Sequence, residues 1–189
     1  DIDTIIGRSL DRRLINVWGY ARLVGFDEDF ELQPDILRDV TVDDGRIVTL
    51  HLRKGHKWSD GAPFTAEDFR YYFEEIATNP ELTPTPPPYL LVDGELPEFE
   101  VIDDTTVRYT WKKPNPRFLP TLAQARPPFI YRPAHYLKQF NPKYGDADEI
   151  AAQVEEQRVR SWAPLHNLRD DMYGARNPEL PSLQPWVAT

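Results

Sequence analysis

Residues Leu50–Ile76 read LHLRKGHKWSDGAPFTAEDFRYYFEEI, and the local chemistry of this stretch decides the fold. On its N-terminal side Val48, Leu50 and Leu52 fall on one face of an extended chain. Ile47, Thr49, His51 and Arg53 fall on the other, which is the alternation of a half-buried strand. Lys54-Gly55 and Ser59-Asp60-Gly61 are turn signals on either side of Trp58. Thr65 then offers a helix N-cap, with Asp68 three residues on where a capping box places its acid, and Phe64 and Phe69 at the two hydrophobic-staple positions. Phe69, Tyr72, Phe73 and Ile76 follow at i, i+3, i+4 and i+7, one face of a helix. Asn79-Pro80 stops it.

Working outward, Val40–Val42, Asp43-Asp44-Gly45 and Ile47–Leu52 predict a β-hairpin whose turn takes its positive φ from Gly45. Phe99–Ile102, Asp103-Asp104-Thr105 and Val107–Trp111 predict a second, with Val107, Tyr109 and Trp111 on one face. The sum is an antiparallel sheet of three or four strands with one amphipathic helix packed on it. Upstream, Leu14–Phe26 is apolar and aromatic and predicts a short helix or buried segment, Asp27-Glu28-Asp29 a turn, and Pro34–Leu37 the start of a short structured piece. Thr83–Pro88 is a proline-rich loop with polyproline II character. Downstream, Pro133–Phe140 predicts a short helix opened by proline, and Asp146 caps a helix over Ala147–Val159 with a thin apolar stripe of Ile150 and Val154. From Ala175 to Thr189 there is no periodicity, and no internal repeat is present.

The bulk numbers narrow the function classes. A chain of 189 residues holds one domain or two small ones, and 40% apolar with 12% aromatic residues supports a packed core. A net charge of −9 repels phosphate backbones and argues against nucleic acid as a partner. There is no cysteine, so disulfides and thiolate metal sites are excluded. No run approaches the roughly 20 apolar residues that span a bilayer. The opening Asp1-Ile2-Asp3-Thr4 lacks the features of a signal peptide, so any such leader is expected to have been removed.

The stretch Leu52-Arg53-Lys54-Gly55, Lys57-Trp58-Ser59-Asp60-Gly61 and Pro63-Phe64-Thr65-Ala66-Glu67-Asp68 resembles the signature of the family 5 extracellular solute-binding proteins. Asn16–Gly25 with Leu32-Gln33-Pro34 is similar to the family's early segment, Val101–Lys113 to its next strand pair, and Asn177–Thr189, with Leu183 and Pro185-Trp186, to one subgroup. The resemblance implies an α+β fold, a small antiparallel or mixed sheet with packed helices, as part of a two-lobed type II periplasmic-binding-protein-like fold. It implies the solute-binding component of an ABC importer, working as a monomer outside the cytoplasm, in the periplasm or beyond it, with a lipid anchor as one mode of membrane attachment. Its partners would be a small-molecule or oligomeric solute, peptide or sugar, and an ABC permease in the membrane reached through the full-length protein, with no cofactor, metal or catalysis. Members run to roughly three times this length. The chain therefore reads as an N-terminal part: residues 1–33 as the first segment of lobe I, 34–125 as an inserted α+β domain, and 126–189 as a return segment toward lobe I.

The signature itself reads as structural. Asp60-Gly61 turns the chain, Trp58 covers a sheet edge, and Thr65 with Asp68 starts the helix. Ligand contacts are expected instead from the early segment, where the resemblance implies an approach to the cleft. There Trp18 and Tyr20 present flat apolar faces with polar handles, and Asn16 and Arg22 add polar contacts; the competing reading of the two aromatics is ordinary core. Arg126–Arg132 is a second candidate, set against a rigid proline connector with solvated arginines. His51, His56, His135 and His166 lack the spacing of a metal site. The acid pairs Glu74-Glu75, Asp103-Asp104, Glu155-Glu156 and Asp170-Asp171 are adjacent, and adjacent side chains on a helix or strand point apart rather than converge across a cleft. Two other readings stand beside the importer: a fragment of a carbohydrate-active enzyme, and a non-catalytic α+β interaction module. An incomplete lobe should expose an apolar patch, and the tail after Ala175 is the expected place for it. With one wall of a cleft at most, these 189 residues alone should bind solute weakly or not at all. Micromolar affinity in calorimetric titrations with peptides and oligosaccharides would contradict this.

Overall fold

The computed structural model describes residues 22–124, 127–171 and 177–183. Two strands, β1 (Val24–Phe26) and β2 (Leu32–Pro34), form an antiparallel ribbon. Four more, β3 (Leu37–Asp43), β4 (Ile47–Leu52), β5 (Glu98–Asp103) and β6 (Thr106–Thr110), form an antiparallel sheet in the order β3-β4-β6-β5. Both expected hairpins are present, and they join through the pairing of β6 with β4, so that β6 lies between β4 and β5. Gly45 takes φ +65° in the first turn, after Asp44 at +50°. Val48, Leu50 and Leu52, with Val107, Tyr109 and Trp111, are all buried on one face of the sheet.

Helix α1 (Ala66–Arg70) crosses that face near β5 and β6. Its capping box forms: the Thr65 backbone N–H donates to Asp68 Oδ2 at 2.9 Å. The staple forms too, with the Phe64 and Phe69 rings 5.6 Å apart. The expected uniform α-helix gives way from Tyr71 to Ala77 to a π-helical segment, closed by Thr78 N–H to Phe73 C=O at 3.1 Å. The wider turn rotates the buried face, so Tyr71 and Glu75 join Tyr72 and Ile76 in the interior while Phe73 is only half buried.

The remaining elements are α2 (Phe118–Leu122), α3 (Ala134–Leu137) running into a 3₁₀ turn at Lys138–Phe140, α4 (Ala147–Glu156) and α5 (Trp162–Arg169). Asp146 caps α4 as expected, accepting from the Asp148 and Glu149 N–H groups at 2.9 and 3.0 Å. The helix stops three residues before Val159, where Arg158 turns to φ +53°. In place of a helix at the end of Leu14–Phe26, residues Val24–Phe26 are extended, because the turn after them pairs them with β2; Leu23 and Val24 are buried. One hydrophobic core runs from Leu23 to Leu183.

The junction of these parts is Asp68, which is 2% exposed. Its carboxylate accepts from Trp58 Nε1 at 3.1 Å, from the Thr65 N–H, and from the Ala134 N–H at 3.1 Å, while its own C=O accepts the Arg132 N–H at 3.0 Å. Burial pushes the carboxyl up to about 6 against the pull of these N–H donors. An acid raised from 3.8 to about 6 contributes most below pH 3.8 and loses that contribution as pH rises through 6. Asp68→Asn presents an NH₂ to a ring of donors and should cost about 3 kcal/mol at neutral pH. The stability gap to the wild type should widen as pH falls from 7 to 4, measured by denaturant unfolding; a gap independent of pH would contradict this account.

Candidate functional site

Among the expected ligand contacts, Asn16, Trp18 and Tyr20 lie outside the described residues. Arg22 stands half buried immediately before β1. Its C=O accepts the Ile36 N–H at 2.9 Å, and the Leu23 C=O accepts the Asp35 N–H at 3.0 Å, so the chain leading out of the candidate segment is pinned across the β2–β3 corner. The Arg22 Nε is buried and has no hydrogen-bond partner among the described residues. It is the one candidate ligand group whose donor the structure shows unengaged.

The signature residues are engaged in the fold. Trp58 is 2% exposed, edge-on to Phe64 with centroids 5.6 Å apart, and bonded to Asp68. Trp58 lies beneath Tyr131 and His135, so it plugs the junction between the signature and the return segment instead of covering a sheet edge. Gly61 takes φ +90° in the turn. Asp60 accepts from the Ala62 N–H at 3.0 Å and lies 2.7 Å from His135 Nε2. Burial would raise the Asp60 carboxyl, but these bonds hold it below the usual value.

The described part of the second candidate stretch, residues 127–132, is largely interior. Phe129, Ile130 and Tyr131 are buried. Arg132 is no solvated connector: its Nε donates to Asp170 Oδ2 at 2.8 Å, its Nη1 to the Phe129 and Tyr131 carbonyls at 2.6 and 2.9 Å, and its guanidinium lies over the Tyr72 ring at 5.2 Å. The expectation of solvated arginines fails at Arg132, because Asp170, 38 residues on, supplies a buried counter-charge.

Of the acid pairs, Glu74 and Glu75 are divided as helix geometry requires. Glu74 is exposed and pairs with Arg70 at 2.5 Å; Glu75 is buried and accepts from Lys143 and Tyr144, each at 2.5 Å. Asp103 accepts the Thr105 N–H at 2.7 Å in the hairpin turn. Asp170 is buried against Arg132. Among the described residues no group of three or more His, Cys, Asp or Glu is placed to hold a metal ion, and no helix is long and apolar enough to cross a membrane.

One groove was not legible in the sequence. At the end of the sheet a cleft of about 580 Å³ brings Arg38, Arg53, Lys54 and His56 opposite Asp103 and Asp104. Residues 65 positions apart meet there because β6 inserts between β4 and β5. Burial, with the charge of Arg53, holds the His56 imidazole below its usual value. The expected apolar patch after Ala175 is not found in the described part of the tail: Ser59 N–H donates to the Ser182 C=O at 2.9 Å, and Leu183 is buried. Exposed apolar side chains gather instead on the β1–β2 ribbon, at Phe26, Leu32 and, 85% exposed, Phe30.

Comparison with known proteins places this architecture. The chain is 36% identical over 122 residues to the periplasmic alpha-galactoside-binding protein of Rhizobium meliloti, covering 62% of this chain and 17% of that protein. It is 30% identical over 113 residues to the periplasmic oligopeptide-binding protein OppA of Escherichia coli, covering 52% of this chain and 21% of that one. Among solved structures, an oligopeptide-binding protein OppA matches 94% of this chain with TM-score 0.79 and 35% identity, over 27% of its own length. The periplasmic binding protein MelB of Agrobacterium fabrum, in complex with stachyose, matches 92% of this chain with TM-score 0.64 and 28% identity, over 25% of its own. The chain thus spans between 17% and 27% of the length of these proteins. Residues 31–156 match the family described as bacterial extracellular solute-binding proteins, family 5 Middle, and the chain belongs to that family.

Proposed function

We propose that the protein containing this chain captures a solute outside the cytoplasm, an oligopeptide or an oligosaccharide, and delivers it to an ABC permease without covalent chemistry. The family membership of residues 31–156 carries the reading. The printed names of the relatives support both solute classes, since they include an alpha-galactoside-binding and an oligopeptide-binding protein. The engagement of Glu75, Asp103 and Asp170 in ion pairs and turns supports the absence of catalysis. In this reading the protein acts as a monomer in the periplasm or outside the cell. The Asn16–Arg22 segment lends one wall to the cleft, with the Arg22 Nε, buried and unpartnered among the described residues, as a donor to a carboxylate or hydroxyl of the solute.

Residues 1–33 then belong to lobe I, 34–125 form the inserted α+β domain and 126–189 return toward lobe I. The apolar ribbon supports this division. A Phe that is 85% exposed with φ +60° is costly unless something covers it, and the rest of lobe I would do so.

Two measurements test the reading. Native mass spectrometry of the full-length protein should show a bound peptide or oligosaccharide that collision releases. Absence of any ligand, together with no thermal shift from peptide and sugar panels, would refute it. Separately, Phe30→Asn should leave the stability of the 189-residue chain unchanged or slightly raised, because Asn tolerates the left-handed conformation. In the full-length protein the same change should cost about 2 kcal/mol of buried aromatic surface. Equal effects in both would refute the placement of the ribbon against lobe I.

A further inference from the structure

We propose that the packing of α5 against the π-helical segment is an acid-sensitive latch, held closed by a neutral His166. His166 is 0% exposed. Its Nε2 lies 2.9 Å from the Tyr71 hydroxyl, with the two rings stacked 6.1 Å apart, and the Trp162 ring stands edge-on at 6.2 Å. Its Nδ1 is buried with no partner among the described residues. Neutral imidazole tolerates this surrounding because it leaves only one ring nitrogen unmatched. The imidazolium would need an acceptor at both nitrogens and a counter-charge.

Among the described residues the neighbourhood supplies neither. The π-helical segment contributes Tyr71, which can accept from Nε2 alone, and Glu75, whose carboxylate is held by Lys143 and Tyr144 at 2.5 Å each. The return segment contributes Arg132, a cation that opposes a second positive charge. On α5 itself Arg169 is also cationic, and Asp170 is bound to Arg132 at 2.8 Å. Of these carboxylates Glu75 is paired with Lys143 and Asp170 with Arg132 before His166 gains a proton; the Asp170 Oδ1 has no hydrogen-bond partner among the described residues but lies 2.6 Å from the Arg132 Nε. Burial, then the charge of Arg132, pulls the imidazole down from 6.5 to about 4. A group depressed in this way stabilises the closed packing above pH 6.5, and that contribution is lost as pH falls toward 4.

Opening is concentrated at one end of the molecule. The Asp170 N–H donates to the His166 C=O at 2.8 Å, so movement of α5 pulls Asp170 from Arg132. Asn177 Nδ2 donates to the Arg169 C=O at 2.8 Å, so the segment 177–183 loses its hold at the same place. Asp68, at the start of α1, responds with the opposite sign and gains on acidification. Acid should therefore free α5 and the chain beyond it while the sheet and the start of α1 stay folded.

Hydrogen exchange of the 189-residue chain, corrected for intrinsic rates, tests this directly. Between pH 7.5 and 5 the protection of Trp162–Arg169 should fall roughly thirtyfold, the factor that follows from moving a pKa from 6.5 to about 4, while β4 and β6 keep theirs. His166→Gln, which can still hydrogen-bond Tyr71 but does not titrate, should abolish the difference. Should that variant fail to fold, the proton resonance of the His166 ring in the wild type serves instead, and its titration midpoint should lie below pH 5. The latch is refuted by unchanged α5 protection down to pH 5, by a parallel fall in α5 and the sheet, by the same fall in His166→Gln, or by a midpoint near 6.5.

Discussion

The rest of the structure depends on one buried carboxylate. A charge-bearing group in the interior persists only where donors surround it, and Asp68 meets that requirement by drawing on three separate parts of the chain. Trp58 comes from the loop before the helix, Thr65 from the helix cap, and Ala134 from a segment 66 residues away. The capping residue of a short helix thereby becomes the point at which the return segment is tied to the sheet. The aromatic rings around it, Trp58, Phe64, Phe69 and Tyr131, exclude water and strengthen each of those bonds.

A second polar seam lies on the far side of the same helix. There the π-helical turn from Tyr71 to Ala77 changes which side chains face inward. Without it, Tyr71 and Glu75 would fall off the face set by Phe69, Tyr72, Phe73 and Ile76. With it, Tyr71 reaches His166 and Glu75 reaches Lys143 and Tyr144. Arg132 and Asp170 extend the seam to the end of α5. The two seams have opposite acid responses, because one buries an acid among donors and the other buries a base beside a cation. Under the proposed function, which puts the protein outside the cytoplasm where pH is less closely held, that asymmetry allows one end of the unit to loosen without unfolding the other.

Family membership and the geometry agree on a division of labour. The signature residues build the frame: Trp58, Asp60, Asp68 and the Thr65 N–H are all engaged in hydrogen bonds within it. Among the described residues, the features that look outward are the exposed ribbon and the cleft at the sheet end, while the Arg22 Nε is buried at the base of the ribbon without a hydrogen-bond partner.

How much of this was legible in the residues follows the range of the interactions involved. Both hairpins, the Thr65 cap, the Phe64–Phe69 staple and the Asp146 cap were readable, because turns, caps and alternation act over a few residues. The family signature was readable for the same reason, being one ungapped run. The helix α5, the π-helical turn and the burial of Arg132 were not: each depends on a partner tens of residues away, as Tyr71 is 95 residues from His166 and Arg132 is 38 from Asp170. The order in the described part of the tail was missed for the same cause, since residues 177–183 look structureless alone but are held by Ser59, Tyr136 and Arg169. The sequence by itself determined the elements, their caps and the family. Only tertiary structure decided which charges are buried and, among the described residues, which apolar side chains stay uncovered, because burial is a property of the whole packed chain and not of any window along it.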